Sequence, residues 1–307
     1  MFLLMFAGFV ARLAGALRAS DADVVRSMVT NITGPAFIFQ AIYYKEITRD
    51  MVVAPAVHII ALVIVAAAAY ALARLLRLDR PTTGAFMLVC AFGNTGFMGY
   101  PVVAAAFHKD ALAMPAVVMV DQLGETICMY SIGIAIAMAF GSHGNGGFRA
   151  ALGFLKTPLF LAMALVFALR LPGLNFRHIP TFIISTDTTV AKGVINYLAD
   201  ATIPLAMLSL GLTITRVPIK SIAVPFAVAC VLKFGAMPLL NLVGLHFTGV
   251  SGTVGQVALL EAAMPAAIMT SVVAGRYGSN AKFASAAVFL MTLMSIGVIP
   301  AVLELVR

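Results

Sequence analysis

Polar and helix-breaking residues cluster in the stretch CAFGNTGFMGYPVV, residues 90–103, within a strongly apolar part of the chain. Three glycines, an asparagine, a threonine and a proline fall between Gly93 and Pro101, and this composition disfavours a continuous helix. In hydrocarbon an unpaired backbone group is costly, so such a break must be buried in protein or line a watery cavity. Free N–H groups at the break, the amide of Asn94 and the hydroxyl of Thr95 could bind a carboxylate. Asn94 could instead cap the helix that follows.

A second apolar segment carries a matching interruption at EAAMPAA, residues 261–267, with Pro265 in its interior. Paired interruptions in the two halves of a membrane protein typically meet near the middle of the bilayer and form a ligand site. We therefore predict a binding site for a small organic anion, made of seven residues: Gly93, Asn94, Thr95, Gly96, Pro101, Pro265 and Ala266. The alternative interpretation is that Gly and Pro act only as close-packing points and kinks, as they commonly do in transmembrane helices.

Five polar or charged residues inside apolar segments are candidates for a charge network: Asp121, Gln122, Glu125, Lys233 and Glu261. Intramembrane ionisable groups are costly and usually functional. Asp121, Gln122 and Glu125 share one face of a predicted helix, where they could exchange protons or brace the break by hydrogen bonds. Lys233 could neutralise Asp121 or Glu261, attract an anion directly, or extend to the membrane surface. Glu261 precedes Pro265 by about one helical turn and is a candidate for coupling, because an unpaired carboxylate would repel a bound anion.

The bulk composition indicates a helical membrane protein. Of the 307 residues, 62% are hydrophobic and 10% are charged, and the mean hydropathy is +1.04. Apolar segments of about 20 residues recur along the chain and predict an all-α polytopic fold. An outer-membrane barrel would show alternating segments of about ten residues instead. We predict ten transmembrane helices, near 1–17, 25–44, 51–76, 82–107, 111–140, 151–171, 190–214, 219–247, 253–277 and 281–305.

Neither the charge nor the reactive side chains indicate a further ligand. The net charge of +8 is spread over loops between spans, which fits retention of basic loops in the cytoplasm better than binding of nucleic acid. The cysteines lie in apolar segments without CxxC spacing, so we predict buried side chains, no metal site and no cofactor for Cys90, Cys128 and Cys230. We expect His58 to be packed and hydrogen-bonded, and Asp200 to be solvated or capping.

The two halves of the chain resemble each other at an offset of 169–170 residues. VRSMVTNITGPAF from Val25 aligns with VINYLADATIPLA from Val194, and a second pair of segments aligns Val102 with Val272. We predict two five-span repeats, 1–147 including a Gly-rich linker at 141–147, and 148–307. An odd number of spans makes the second repeat enter the membrane from the opposite side. Loops after odd-numbered spans hold twelve Lys and Arg residues against seven on the other side, which predicts both termini outside.

The broken segments also resemble a known family. NTGFMGYP, residues 94–101, resembles the fourth-span signature of the auxin efflux carrier family, whose plant members read Asn-Thr-x-x-Met-Gly-x-Pro. MPAAIMTSVVAGRYG at 264–278, ATIPLAMLSLG at 201–211 and VDQLGE at 120–125 are similar to its ninth, seventh and fifth spans. The resemblance covers essentially the whole chain. Gly93 is a departure, because the plant members carry a proline at that place.

This resemblance implies the ten-helix fold shared with bile acid sodium symporters. Spans 1, 2, 6 and 7 would form a scaffold, and spans 3–5 and 8–10 a mobile transport domain in which spans 4 and 9 cross at the site. It also implies that Asn94 contacts the carboxylate of the substrate. Bacterial relatives are described as permeases of malonate or other organic acids, and relatives of this fold often dimerise through the scaffold.

We therefore expect a secondary transporter that moves a small organic anion, malonate-like or another carboxylate, across the cytoplasmic membrane by alternating access. The lipid bilayer, H⁺ or Na⁺, and a second copy of the chain are its expected partners. The apolar residues Phe97, Met98 and Tyr100 beside the break would admit either a dicarboxylate or an aromatic acid. The alternatives are a channel or sensor on the same fold, or a Na⁺-coupled symporter. An enzyme is not expected, since no HExxH, GxSxG or nucleotide-binding motif occurs.

Overall fold

The computed structural model describes residues 2–43, 45–142, 155–170, 183–185, 192–212 and 223–306. Within these ranges the regular structure is helical, and the one β-type contact is an isolated antiparallel bridge between Gly93 and Ala266. The expectation of an all-α fold is confirmed for this part of the chain. Most of the predicted linker, the predicted repeat boundary at 147–148 and five of the counted loop charges lie outside the described residues: Arg149, Arg177, Arg216, Lys220 and Arg307.

The first half of the chain contains eight α-helices in the described ranges. Wider π-type turns continue some of them: Val29–Thr33 joins α2 to α3, Thr95–Gly99 precedes α6, and Val120–Thr126 and Met129–Gly133 lie between α7 and α8. The helices are α1 Phe2–Leu13, α2 Asp21–Met28, α3 Gly34–Ile42, α4 Arg49–Leu75, α5 Arg80–Ala91, α6 Tyr100–Ala106, α7 Ala113–Met119 and α8 Ile134–Phe140.

The second half contains seven more α-helices in the described ranges, and the π-type turn Val231–Ala236 joins α11 to α12. They are α9 Pro158–Leu169, α10 Val194–Leu212, α11 Ala223–Cys230, α12 Met237–Thr248, α13 Gly252–Ala262, α14 Ile268–Tyr277 and α15 Ala281–Val306.

Local sequence signals explain several helix ends. Thr48 precedes α4 and its side-chain oxygen accepts a hydrogen bond from the backbone N–H of Met51 at 3.4 Å. Asp79 caps α5 in the same way, and Pro81 stands in the first turn, where no intrahelical donor is needed. Gly249 ends α12 with φ of 71°, a left-handed conformation that costs glycine little. These caps fix the places where the helices begin and end.

Five continuous helical segments in the described part of the chain are long and apolar enough to cross a membrane. They are Arg49–Leu75, Ala113–Phe140, Val194–Leu212, Ala223–Thr248 and Ala281–Val306, and the shorter apolar helices Leu3–Leu13 and Pro158–Leu169 accompany them. The predicted fourth and ninth spans are not in this set because each is interrupted. The prediction of a multi-pass helical membrane protein is thus supported, and the ten-span inverted repeat stays a prediction.

The helices pack in two neighbourhoods. Helix α10 packs against α1, α2 and α3, and α9 packs against α3. Helices α1 and α10 approach closely at Gly8 and Gly211, which have no Cβ. A Cβ on either glycine would overlap a backbone carbonyl of the other helix. In the second neighbourhood α4 packs against α5, α12, α13 and the turn that carries Asp121, while α5 also contacts α8, α14 and α15. The interrupted segments lie in this second neighbourhood.

Candidate functional site

The two helix interruptions contact each other directly. The backbone N–H of Asn94 donates to the carbonyl oxygen of Pro265 at 2.7 Å, and the N–H of Ala267 donates to the carbonyl oxygen of Phe92 at 3.0 Å. These two bonds flank the antiparallel bridge between Gly93 and Ala266. Backbone groups that leave their own helices are thereby satisfied by the opposite break, which meets the requirement for irregular backbone away from water.

The sequence explains why the chain can open at these two places. Phe92, after α5, and Ala267, before α14, both have extended backbones, with φ and ψ of −99° and 126°, and of −64° and 139°. Pro265 has no N–H, so its position in the second break removes a helical hydrogen bond without leaving a donor unpaired. Beyond the first break, the carbonyl of Asn94 accepts from the N–H groups of Met98 and Gly99, both at 3.1 Å. The helical path resumes from that point.

The side-chain amide of Asn94 is not used as a helix cap. Its Nδ2 atom is buried and has no hydrogen-bond partner among the residues that the structure describes. An amide donor in a buried place normally finds a partner, because an unmade hydrogen bond costs about 1–3 kcal/mol. Asn94 thus presents a free donor beside the paired breaks, as a ligand site for a carboxylate requires.

Asp121 collects hydrogen bonds from three side chains. The hydroxyl of Thr95 donates to Oδ1 at 2.5 Å, the hydroxyl of Tyr100 donates to Oδ2 at 2.5 Å, and Nε2 of Gln122 donates to Oδ2 at 2.6 Å. Nε2 of Gln122 also lies 3.2 Å from the Tyr100 hydroxyl. Of the two roles predicted for Asp121, the contacts are those of a brace for the first break, and the hydroxyl of Thr95 is committed to it.

Glu125 braces the same break from its other side. Its Oε1 accepts from the backbone N–H of Gly93 at 2.5 Å, and its Oε2 lies 3.0 Å from Nε2 of His58 in α4. Both His58 and Glu125 are buried. The expectation that His58 is packed and hydrogen-bonded is confirmed, and its partner is the carboxylate that holds Gly93 in place.

Lys233 lies against the first break without an ion-pair partner among the described residues. Its side chain is fully buried in the turn between α11 and α12, and Nζ has no hydrogen-bond partner there. A Cβ on Gly93 would stand 2.9 Å from this Nζ. The predicted pairing of Lys233 with Asp121 or Glu261 does not form within the described part of the chain, and the ammonium group faces the break.

Glu261, at the end of α13, presents a second buried group that lacks a partner among the described residues. Both carboxylate oxygens are buried and lack hydrogen-bond partners among the described residues. The carboxylate lies against Gly99, where a Cβ would come within 2.6 Å of its carbon atom Cδ. A buried carboxylate in that state is costly unless it binds a proton, a cation or a donor from a ligand.

The remaining predicted site residues shape the surroundings. A Cβ on Gly96 would make ordinary contact with Asp121, 3.5 Å from Oδ2. Pro101 is buried in the first turn of α6. The structure thus brings Gly93, Asn94, Pro265 and Ala266 together, with Thr95 and the charge network around them, whereas Pro101 shapes the helix that follows.

A cavity of about 490 Å³ lies between α3 and α10 on one side and α6 and α7 on the other. Its lining includes Phe37, which is buried, and Ala104, which is half-buried, while Lys45 and Asp200 are exposed at its mouth. Asp200 forms an exposed ion pair with Lys192 at 2.6 Å, which agrees with the expectation of a solvated group, and this hydrogen bond raises the pKa of Lys192. The cavity opens at Lys45 and Asp200, which are exposed, and reaches α6 at Ala104.

Two important side chains were not predicted as site residues. Tyr100 was expected only to offer an apolar surface, but its hydroxyl helps to hold Asp121, and Phe37 was not singled out. The signal for Tyr100 was its place in the motif itself. Among the cysteines, Cys90 and Cys128 are buried as predicted, but Cys230 is only half-buried. Within the described ranges, no three His, Cys, Asp or Glu side chains form a metal cluster.

Comparison with known proteins decides the family. The sequence pattern of the family described as Membrane transport protein, Mem_trans, matches residues 1–144 and 150–303. The chain belongs to this family. Mem_trans is the auxin efflux carrier family, so the resemblance seen in the broken segments is confirmed.

Proteins with similar sequences match most of the chain. An uncharacterized transporter of Methanocaldococcus jannaschii is 27% identical over 302 residues, which are 97% of this chain and 94% of that protein. An uncharacterized transporter of Methanothermobacter thermautotrophicus is 26% identical over 97% of this chain and 93% of that protein. A protein of Rhizobium meliloti named "Putative malonate transporter" is 25% identical over 71% of this chain and 65% of that protein. Membership in Mem_trans makes this chain a membrane transporter with a small-molecule substrate.

Proposed function

We propose that this Mem_trans protein is a secondary transporter that moves a small organic anion across the cytoplasmic membrane by alternating access. The anion would bind where the two interrupted spans meet. One observation carries the proposal: the breaks at Gly93 and Ala266 pair through their backbones, and the buried donors of Asn94 and Lys233 beside them lack partners among the described residues. A carboxylate would satisfy both donors.

The chemistry of these donors favours an anionic ligand. Nδ2 of Asn94 offers two N–H bonds and Lys233 offers three together with a full positive charge. Hydrogen bonds in which one partner is ionised are about twice as strong as neutral ones, and water exclusion strengthens them further. Malonate or a similar carboxylate is the substrate class that we propose, and the name of the Rhizobium meliloti relative supports it.

Glu261 is the group that we assign to coupling. Its two unpaired oxygens are buried near Gly99, and the charged groups around it are Asp121, Glu125 and Lys233. Since Asp121 and Glu125 are occupied by hydrogen bonds, Glu261 is the carboxylate with capacity for H⁺ or Na⁺. Binding of H⁺ or Na⁺ to Glu261 would remove its repulsion toward an incoming anion. The binding of the cation and the binding of the anion would thereby be coupled.

The helix contacts support the predicted assignment of spans to a scaffold and to a mobile transport domain. Helices α1, α2, α3, α9 and α10 contact one another and would form the scaffold, while α4–α8 and α11–α15 carry both breaks and would form the moving part. The arrangement of ten spans as two inverted repeats, 1–147 and 148–307, belongs to this proposal, as do outward-facing termini and a homodimer formed through the scaffold.

A thermal-shift screen of the purified full-length protein tests the binding site. Malonate, longer dicarboxylates and aromatic monocarboxylates would be compared, with and without Na⁺ and at two pH values. A ligand that binds the folded form raises its stability by mass action. We expect Asn94→Ala to remove the shift given by the best acid. Asn31→Ala is the matched control, because among the described residues the exposed Asn31 amide donates to the carbonyl and hydroxyl oxygens of Ser27, both at 2.9 Å.

Transport itself is tested by counterflow of the labelled acid in proteoliposomes. A carrier exchanges unlabelled acid inside for labelled acid outside, and the exchange saturates with concentration. A large unitary current without saturable exchange would identify a channel and contradict the proposal. Retention of the full thermal shift by Asn94→Ala would reject Asn94 as a ligand.

A further inference from the structure

Two aromatic rings from different helices stack on each other, one lining the cavity and the other hydrogen-bonded to Asp121. Phe37 in α3 and Tyr100 in α6 have ring centroids 4.9 Å apart and an interplanar angle of 23°. Both side chains are buried, with 8% and 4% of their surface exposed. An aromatic pair of this kind adds a modest attraction to the burial of its area. The contact is therefore weak enough to open when the two helices move apart.

The ring of Tyr100 has a fixed orientation. Its hydroxyl donates to Oδ2 of Asp121 at 2.5 Å and lies 3.2 Å from Nε2 of Gln122. Asp121 in turn accepts from the hydroxyl of Thr95, next to Asn94. The position of Tyr100 is thus linked by two hydrogen bonds to the residue that follows the candidate carboxylate ligand.

One ring of the stack, that of Phe37, lines the cavity. Ala104, which follows Tyr100 by one turn of α6, lines it as well. Tyr100 itself does not line it and sits behind Phe37, and Thr95 is one further turn toward the break. The two rings thus connect the wall of the cavity to the segment that begins at Asn94.

We propose that the Phe37–Tyr100 stack is a gate, which closes the cavity from the paired breaks and which the substrate must part to reach Asn94. Phe37 belongs to the helices assigned to the scaffold and Tyr100 to those assigned to the moving part, so a relative displacement of the two groups separates the rings. The identity of the passing molecule rests on the proposed function, whereas the closure of the cavity by the two rings is independent of it.

A thiol-labelling experiment on the full-length protein in membranes tests the gate without substrate. Thr95→Cys places a thiol behind the stack, and Ala104→Cys places one in the cavity. Labelling by a small membrane-impermeant methanethiosulfonate is followed at each residue by peptide mass spectrometry, as the ratio of labelled to unlabelled peptide. We expect fast labelling at position 104, slow labelling at position 95, and an increase of about tenfold at position 95 when Phe37→Ala removes the stack.

The chain offers a close control for this substitution. Phe39, also in α3 and also buried, stacks on Tyr43 with centroids 4.9 Å apart and an interplanar angle of 17°. Phe39→Ala removes the same atoms from the same helix, and it should leave labelling at position 95 unchanged. If Phe37→Ala does not fold, Phe37→Leu keeps most of the volume, removes the ring and should give a smaller increase.

Three results would overturn the gate. They are unchanged labelling at position 95 in both Phe37 variants, equal increases from Phe37→Ala and Phe39→Ala, and no labelling at position 104. Failure of the proposed function is a separate outcome. If labelling follows the expected pattern while no carboxylate shifts the unfolding temperature, the gate stands and the substrate class is wrong.

Discussion

The ammonium group of Lys233 occupies the space that a side chain on Gly93 would fill. Nζ of Lys233 lies 2.9 Å from the position of a Cβ on Gly93, and the carbonyl oxygen of Glu261 lies 3.7 Å from the same point. Helices α5 and α13 end at Ala91 and Ala262, so the cation stands where two helix C-termini meet. Each C-terminus carries partial negative charge, which a nearby cation stabilises. Glycine at this break makes room for a charge.

Substitution of Gly93 by alanine should displace Lys233. The added methyl group meets the ammonium group, so we expect a loss of about 1–3 kcal/mol in the free energy of unfolding and a weaker thermal shift with the best carboxylate. Gly235→Ala is the control, since Gly235 lies in the same turn as Lys233 and a Cβ there meets nothing within 4 Å. Unfolding curves in detergent, with and without the acid, measure both effects. Equal behaviour of the two variants would show that the space at Gly93 has no role.

Gly99→Ala should be more damaging than Gly93→Ala. A Cβ on Gly99 would overlap the carboxylate of Glu261, whose Cδ lies 2.6 Å from that position, and the buried carboxylate has little room to move. We expect the free energy of unfolding to fall by about 1–3 kcal/mol or more, together with a loss of any stabilisation by Na⁺ or by acidic pH. Gly297→Ala in α15, where a Cβ meets nothing within 4 Å, supplies the comparison. Equal unfolding temperatures of Gly99→Ala and Gly297→Ala would show that the contact between Gly99 and Glu261 does not limit stability.

Much of this arrangement could be predicted from local sequence. The interruptions at Gly93 and Pro265 were predictable because glycine and proline act on their own backbone, and the apolar segments set the helices around them. The contacts between spans could not be predicted, since they depend on how the helices rotate and pack. The hydroxyl of Tyr100 contacts Asp121, which belongs to another predicted span. Lys233 lies against Gly93, whereas the sequence suggested a carboxylate as one of its partners. A sequence of apolar helices carries little information about such rotations.

Loss of His58 should destabilise the brace on the first break. His58→Ala leaves one buried oxygen of Glu125 without its partner at 3.0 Å, which costs about 1–3 kcal/mol in the free energy of unfolding. His246→Ala is the control, because that ring is exposed in α12. Thermal unfolding of both variants measures the difference. A similar unfolding temperature for the two would mean that the contact between His58 and Glu125 does not hold the break.

The two predicted roles of Asp121 can be separated by substitution. In Asp121→Asn the side chain keeps one acceptor oxygen, and an N–H₂ group replaces the other. At least one of the three donors, Thr95, Tyr100 and Gln122, then loses its acceptor. The expected loss in the free energy of unfolding is about 1–3 kcal/mol. Tyr100→Phe removes one of these bonds and should cost less. We therefore expect stability to decrease from wild type through Tyr100→Phe to Asp121→Asn, with exposed Asp200→Asn unchanged, as measured by thermal unfolding. If Asp121→Asn is instead as stable as wild type and binds carboxylate independently of pH, Asp121 carries the proton and the brace interpretation is wrong.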